Sequence, residues 1–265
     1  MARFRSDAKL GERTPRVDDD AVNANPRRRA VSGARDIVAA LAAGELLAAV
    51  FVTRIAIEAD AAVAAAVESA RRAGVAVHVV GPTVLRRFGR GDPPPRVLAV
   101  AGPPPRVSLA EVLAQRGATW LLAGVAYPTN AGFAIRTAEV SGADGVIVDA
   151  PFTAADRRTA LRASMRADRV MPVIWDRAAT AIDAARAAGA RIVAVEDSGP
   201  RAPWDVDLTR PSLLVVGGER DGIPAAVLAR CDDVVRVPMA GFIPSYNVQA
   251  AMAAVAAERL RQMRA

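Results

Sequence analysis

Alternation of short apolar runs with helical patterns in the second half of the chain narrows the possible folds more than any other feature. Six runs are typical of buried strands, and five segments carry apolar residues at helical spacing. The strand candidates are 120–125, 145–148, 170–174, 192–195, 213–216 and 234–237, and the helix candidates are 130–142, 155–166, 178–188, 224–229 and 247–263. This order predicts an α/β domain whose mostly parallel sheet is covered by helices on both faces.

A shorter α/β pattern precedes this region. Its elements are a helical pattern from Ser32, an apolar run at 47–53, a helix at 60–73 and strands at 75–80 and 97–101. Proline triplets at 93–95 and 103–105 flank the last strand, and such triplets stiffen the chain and cannot lie within a helix. We therefore place a domain boundary after the second triplet.

These patterns divide the chain into four parts. The first thirty residues are polar and lack sustained periodicity, which is typical of a mobile arm. The predicted parts are an arm at 1–30, a small α/β domain at 31–106, a linker at 107–117 and a larger α/β domain at 118–265.

The cysteine and histidine counts exclude several kinds of active site. Cys231 and His78 are the only residues of their types. An intrachain disulfide, a cysteine-held zinc or iron–sulfur centre and a site with two imidazoles are therefore impossible. We predict a protein of a reducing compartment that binds no metal, with Cys231 and His78 in structural roles.

The start of the chain carries no pattern of an export signal, and we predict a cytoplasmic location. Two stretches without charge, 117–135 and 237–257, have about the length of a membrane span. Both are interrupted by Pro, Gly, Asn and Ser, so we do not expect them to cross a membrane.

The charge balance favours a polyanionic partner. The chain has 35 basic and 28 acidic residues, a formal net charge of +7 and a pI near 10.9. Residues 86–106 hold five arginines against one aspartate, and residues 157–177 hold six against two. Clustered arginines bind phosphate oxygens and confer affinity for nucleic acid, although a solvated surface is an alternative for either cluster.

Three loops that follow apolar strands combine glycine or proline with polar side chains. In parallel sheets, ligands bind beyond the carboxyl ends of the strands, so the loops at 127–139, 217–223 and 237–248 are expected to form one pocket. Arg136 is predicted near the start of a helix, directed at the mouth of this pocket. Asn130 and Asn247 are candidates for ligand contacts or for helix caps, and the glycines for ligand contacts or for tight turns.

The three loops carry ordered motifs. They have the forms N-x-G-x-x-x-R-T-A, G-x-E-x-x-G and I/V-P-M-x-G-x-x-x-S-x-N. In this chain the motif positions are Asn130, Gly132 and Arg136-Thr137-Ala138; Gly217, Glu219 and Gly222; and Val237-Pro238-Met239, Gly241, Ser245 and Asn247. The region from about 118 to 265 thus resembles the SPOUT-class methyltransferases, specifically the TrmH-like RNA 2′-O-ribose methyltransferases. Residues from about 32 to 105 are similar in pattern to the L30e-like RNA-binding domain that precedes the catalytic domain in many of these enzymes.

This resemblance implies an α/β fold with a C-terminal trefoil knot, a homodimer, RNA as the partner and S-adenosylmethionine as the cofactor. The implied cofactor-binding residues are Val216, Gly217, Gly218, Val237, Met239, Tyr246 and Asn247. The implied catalytic residues are Arg136, Asn130, Glu219, Ser245 and Asn247. Arg136 would act on the ribose hydroxyl or fix the adjacent phosphate; since a guanidinium does not readily deprotonate, positioning of the phosphate is the favoured role.

The chain departs from the family pattern in three places. Tyr246 stands where leucine is common, and Arg220-Asp221 stands where a small or acidic residue is usual. Residues 163–168 contain no glycine, whereas relatives often have one there. The resulting hypothesis is S-adenosylmethionine-dependent methylation of a ribose 2′-hydroxyl in structured RNA, with ribosomal RNA favoured. The alternatives are a transfer-RNA 2′-O-methyltransferase and a non-catalytic RNA-binding protein on the same scaffold.

Overall fold

The computed structural model describes residues 29–88, 93–243 and 245–264. The predicted arm at 1–30 lies outside these residues except for its last two positions. Ala30, placed in the arm by the sequence, is instead the first residue of a β-strand that pairs with Val100.

The first sheet has four strands. They are β1 (Ala30–Ser32), β2 (Leu47–Val52), β3 (Val77–Val79) and β4 (Val97–Ala101). Their spatial order is β1-β4-β2-β3; β2 and β3 are parallel, whereas β4 is antiparallel to both of its neighbours. The helices of this region are α1 (Ala34–Ala42), α2 (Arg54–Ala59), α3 (Ala61–Arg72) and α4 (Pro82–Phe88).

Alternating side chains of the first sheet face two different environments, as expected for strands. Val50 and Val52 pack with α1 and α3 in one apolar cluster. Phe51 and Leu98 belong to a second cluster on the opposite face, which also contains Val170 from the second half of the chain. The first sheet is therefore in contact with the larger α/β region.

The second sheet has six strands, all parallel. They are β5 (Ala118–Ala123), β6 (Gly145–Asp149), β7 (Val173–Trp175), β8 (Arg191–Val195), β9 (Ser212–Gly217) and β10 (Asp233–Val235), in the spatial order β10-β8-β9-β5-β6-β7. The helices are α5 (Leu109–Leu113), α6 (Pro128–Val140), α7 (Ala154–Ala163), α8 (Ala178–Ala187), α9 (Ala225–Leu228) and α10 (Val248–Gln262). The predicted parallel α/β architecture is confirmed.

The two faces of this sheet bury separate cores. Trp120 and Leu122 pack with residues of α6 and α10, whereas Leu121 and Ala123 pack with α8. Both faces of β5 are thus covered, which explains why residues 120–123 form a continuous apolar run.

Several element boundaries differ from the predictions. Residues 170–172 were predicted to begin a strand, but Val170 and Met171 donate backbone hydrogen bonds to Ala167 in a 3₁₀ turn, and β7 begins at Val173. The sequence patterns also missed α2, α4 and α5. The last of these lies in the predicted linker, where Ser108 and Glu111 form a capping box.

The edge strand β10 is fixed by a buried carboxylate. The Asp233 side chain is 1% exposed and forms ion pairs with Arg191 and Arg201. Its neighbour Asp232 accepts a hydrogen bond from the backbone N of Ile192 at 2.8 Å. Strand β10 forms a ladder of three residue pairs with β8 and a single bridge with Arg201, and the Asp232 and Asp233 contacts supplement this short pairing.

Among the helices of the described residues, none combines the length and the apolar composition that a membrane span requires.

A glycine sets the contact between α6 and α7. A Cβ atom at Gly132 would lie 2.4 Å from the carbonyl oxygen of Ala160 and 2.5 Å from the Cβ of Ala163. Gly132 thus makes a close contact with a helix of the same chain rather than a tight turn.

We expect Gly132→Ala to lower the free energy of unfolding by about 1–3 kcal/mol, because the added methyl group overpacks a backbone contact. Urea denaturation followed by circular dichroism measures the change. Gly241→Ala is the control, since a Cβ there meets no atom within 4 Å. The control should change stability by less than about 0.5 kcal/mol; equal effects of both variants would contradict this account of the contact.

Candidate functional site

The loops that follow β5, β8, β9 and β10 converge at the carboxyl edge of the second sheet. Of these, the loops after β8, β9 and β10 line a cavity of about 410 Å³, which we call the first cavity. Nine of the predicted site residues line it, namely Val216, Gly217, Gly218, Glu219, Val237, Met239, Ser245, Tyr246 and Asn247. The pocket expected from the strand ends is therefore present, and its second and third loops are the predicted ones.

Backbone crowding explains the paired glycines of the second loop. A Cβ at Gly217 would lie 2.1 Å from the carbonyl carbon of Gly222, and a Cβ at Gly218 would lie 2.0 Å from the carbonyl oxygen of Gly124. Gly218 and Gly222 also exchange backbone hydrogen bonds of 3.1 and 3.2 Å. The chain's own crossings thus exclude side chains here, and they leave bare backbone at the wall of the first cavity.

Glu219 connects the first loop to the second. Its Oε1 accepts a hydrogen bond of 2.6 Å from Nδ2 of Asn130, and its Oε2 accepts one of 3.0 Å from the backbone N of Ala126. Helix α6 begins at Pro128 with Tyr127 at the N-cap, so the alternative of Asn130 as a helix cap is wrong. Asn130 does not line the first cavity itself but holds a carboxylate that does.

The third loop is braced by its tyrosine. The Tyr246 hydroxyl donates a hydrogen bond of 3.2 Å to the carbonyl of Pro238, and the half-exposed ring lines the first cavity. Asn247 occupies the N-cap position of α10, but its side chain makes no capping hydrogen bond. The amide group of Asn247 therefore makes no hydrogen bond to the first turn of α10.

Sequence reasoning missed the contribution of the loop after β8. Glu196 and Asp197 line the first cavity directly beyond the end of that strand. Oε2 of Glu196 accepts a hydrogen bond of 2.8 Å from the backbone N of Ile223, which fixes the carboxylate against the second loop. Both acids directly follow the strand candidate 192–195, so their position at a strand end was the signal that could have found them.

The lining of the first cavity has mixed charge. Glu196, Asp197 and Glu219 supply carboxylates, and Arg220 and Arg236 supply cations. A site of this kind suits a ligand that carries both positive and negative charge and that is held largely by contacts with the protein backbone.

Arg220, one of the departures from the family pattern, is tied to the first loop. Its guanidinium lies 5.5 Å from the centre of the Tyr127 ring, and its Nη2 donates a hydrogen bond of 3.2 Å to the Tyr127 hydroxyl. This hydrogen bond raises the pKa of the Arg220 guanidinium above its usual value. The Arg220 side chain therefore serves as a second connection between the first and second loops.

Arg136 does not line the first cavity. It lies in the second half of α6 and lines another cavity of about 740 Å³, the second cavity, between the first sheet and residues 164–170. The prediction that Arg136 lies near the start of its helix is wrong, because α6 begins at Pro128. Six positions separate Asn130 from Arg136, or about 9 Å along the helix axis.

The remaining titratable candidates have structural surroundings. The ring of His78, on β3, packs against the ring of Phe51, on β2, with 5.3 Å between the ring centres. Burial and the nearby Arg169 lower the pKa of His78. Burial raises the pKa of the Cys231 thiol to about 11, so it is a poor nucleophile. Within residues 29–88, 93–243 and 245–264, no cluster of three or more His, Cys, Asp or Glu side chains could hold a metal.

Residues 118–257 match the model of the SpoU rRNA Methylase family, a range that contains all three motifs. A protein of Bordetella pertussis named 23S rRNA (guanosine-2′-O-)-methyltransferase RlmB is 31% identical over 208 residues, which cover 74% of this chain and 82% of that protein. An uncharacterized tRNA/rRNA methyltransferase of Mycobacterium ulcerans is 35% identical over 149 residues, covering 54% of this chain. That match covers 46% of the relative, so the chain spans about half of its length.

A solved structure extends the likeness over both sheets. The AdoMet-bound rRNA methyltransferase from Sinorhizobium meliloti is 25% identical, with a TM-score of 0.57, and the match covers 90% of this chain and 88% of that one.

The contact between Asn130 and Glu219 should be measurable as a coupling energy. We expect a double-mutant cycle of Asn130→Ala and Glu219→Ala to give about 1–2 kcal/mol in the free energy of unfolding, because the amide bonds a partly buried carboxylate. The exposed pair Glu68–Arg71 on α3 is the control, with an expected coupling below about 0.5 kcal/mol. A coupling near zero for Asn130 and Glu219 would show that the two loops are held together by other contacts.

Proposed function

Because this chain belongs to the SpoU rRNA methylase family, we propose that it transfers a methyl group from S-adenosylmethionine to a ribose 2′-hydroxyl of structured RNA, with ribosomal RNA as the substrate. The observation that carries this proposal is the convergence of the second and third motif loops on the first cavity, with Glu219 binding the first loop to them. The similarity to the Bordetella 23S rRNA methyltransferase and to the AdoMet-bound Sinorhizobium enzyme supports it.

The residues of the first cavity fit S-adenosylmethionine. Val216, Val237 and Met239 offer apolar contacts for adenine, and the bare backbone at Gly217 and Gly218 allows close approach to it. The carboxylates of Glu196, Asp197 and Glu219 suit the amino and sulfonium groups, which are cationic. When bound, the cofactor supplies the electrophilic methyl group.

The chain's own residues must align the ribose hydroxyl with that methyl group, and alignment alone can account for a large part of the rate. We assign Arg136 to hold the phosphate beside the reacting ribose, because its side chain forms no hydrogen bond or ion pair with any described residue. Glu219 keeps the first loop in place, with Asn130 as its partner. Ser245 and Asn247 line the first cavity and are assigned to shape the space at the hydroxyl.

We also propose a knot in the larger domain and an RNA-binding role for the smaller one. Gly218 lies against the backbone of Gly124, and Gly199 and Arg201 lie against the end of β10. These crossings support a trefoil knot in the domain at 118–265. The four-stranded sheet within residues 31–106 is proposed to be the L30e-like RNA-binding domain, with 107–117 as the connection.

We further propose a homodimer that acts in the cytoplasm, where ribosomal RNA is located. Helices α6 and α10 contact each other and carry exposed apolar side chains. These are Phe133, Leu260 and, directly after α10, Met263. A second copy packed on these helices would remove this apolar surface from water.

Calorimetric titration with S-adenosylmethionine tests the cofactor site without the RNA. We expect one site per chain and a dissociation constant of about 10 μM, equivalent to about −7 kcal/mol. Binding would show that Tyr246 leaves room for the cofactor. Absence of heat, together with absence of competition by the demethylated product, would instead favour the non-catalytic RNA-binding alternative.

Arg136→Ala should leave cofactor affinity unchanged and lower methyl transfer at least about a hundredfold, because the reacting hydroxyl is then misplaced. The assay follows transfer of a labelled methyl group to transcribed 23S rRNA, with a tRNA transcript in parallel to separate the two substrate classes. Arg210→Ala is the control, since this exposed arginine lines neither cavity. Full activity of Arg136→Ala would remove the role assigned to Arg136.

A further inference from the structure

The second cavity combines an apolar floor with a basic rim. Its floor is the face of the first sheet that carries Phe51, Leu98 and Val100, extended by Phe88, which is 38% exposed. Phe88 lies 5.2 Å from Phe51, ring centre to ring centre. The cavity therefore offers an aromatic and aliphatic surface inside a protein that is otherwise rich in arginine.

Three arginines line the second cavity, against a single carboxylate, that of Glu139. Arg29 pairs with Glu45, and Arg166 forms two hydrogen bonds of 3.0 and 2.8 Å with Asp168. Arg136 is paired with no side chain in the described part of the chain. The rim thus holds two arginines in place and leaves a third available for an anion.

Backbone strain is concentrated at the wall of this cavity. Met165 and Arg166 both line it and have φ values of 57° and 63°, in the left-handed region that non-glycine residues rarely adopt. Such conformations cost free energy and persist where surrounding contacts fix them. Here they bring a methionine and an arginine together at the side of the cavity opposite the sheet.

Helix α6 connects the two cavities. Asn130 contacts Glu219 at the first cavity, and Arg136 lies at the second, about 9 Å farther along the axis. Since Arg136 is assigned the phosphate beside the reacting ribose, a nucleotide bound in the second cavity is the neighbour of the methylated one.

We propose that the second cavity binds one unstacked nucleotide of single-stranded RNA, adjacent to the nucleotide that is methylated. The base lies on Phe88 and the sheet floor, and its phosphate is bound by Arg136. Aromatic contact and arginine pairing are the general means by which proteins hold single strands. This inference rests on the proposed function, since it takes RNA as the substrate.

The test is fluorescence anisotropy with a short labelled oligoadenylate, and the variant Val100→Trp fills the cavity from its floor. We expect at least about a tenfold loss of affinity, comparable to removal of a stacked base. Val79→Trp is the matched control, because Val79 is exposed on the edge strand of the same sheet and does not line the cavity. Unchanged affinity in a folded Val100→Trp protein would overturn the proposal.

Phe88→Ala is the second variant, because it removes the aromatic surface without overpacking the sheet. It should weaken oligoadenylate binding to a similar degree, and no effect would also overturn the proposal. Two further probes test which ligand binds in the second cavity. A tighter complex with an RNA duplex, or with 5′-AMP alone, would reject a single-stranded nucleotide in favour of a helix-binding surface or a free-nucleotide site.

Cofactor titration of the same proteins separates this inference from the proposed function. Val100→Trp and Phe88→Ala should bind S-adenosylmethionine as the unmodified chain does, since neither residue lines the first cavity. Failure of the unmodified chain to bind the cofactor would count against the methyltransferase, whereas failure to bind oligoadenylate would count against the second cavity as a nucleotide site.

Discussion

The candidate site depends on a backbone crossing that admits no Cβ atom. The loop after β9 passes the loop after β5 so closely that Gly218 lies against Gly124, and Gly217 lies against Gly222 of its own loop. This contact brings Glu219 within hydrogen-bond distance of Asn130 and Ala126. A side chain at either glycine would force the loops apart and would separate the carboxylate from its donors.

The third loop depends on a different constraint, because it follows a strand of only three residues at the edge of the sheet. Asp233 stabilises this edge. Its buried carboxylate forms ion pairs with Arg191 of β8 and with Arg201 of the preceding connection. Removal of one partner from such a buried group leaves an uncompensated charge, which is strongly destabilising. These ion pairs fix the strand from which the third loop starts, and the hydrogen bond from Tyr246 to the carbonyl of Pro238 fixes the loop itself.

Sequence patterns predicted the sheet and most of the lining of the first cavity for a common reason: both depend on local order. Buried parallel strands are apolar runs, and ligand-binding loops follow their carboxyl ends. The short helices α2, α4 and α5 were not predicted, because one or two turns show little periodicity. For α5, the capping box of Ser108 and Glu111 was a signal in the sequence. Arg136 was misplaced because its direction depends on where α6 begins, and the contact between Arg220 and Tyr127 joins residues 93 positions apart.

The two cavities differ in what builds them, and this difference has consequences for recognition. The first is framed by backbone crossings and fixed carboxylates, so few substitutions can alter it without damage to the fold. The second is framed by the side chains of Phe88, Arg29 and Arg166, none of which supports such a crossing. In the proposed enzyme, specificity for the cofactor therefore depends on the fold itself. Specificity for the RNA depends on side chains that can be substituted without a change in the fold. Helix α6 is the element that couples them, since its Asn130 holds the Glu219 carboxylate of the first cavity and its Arg136 lines the second.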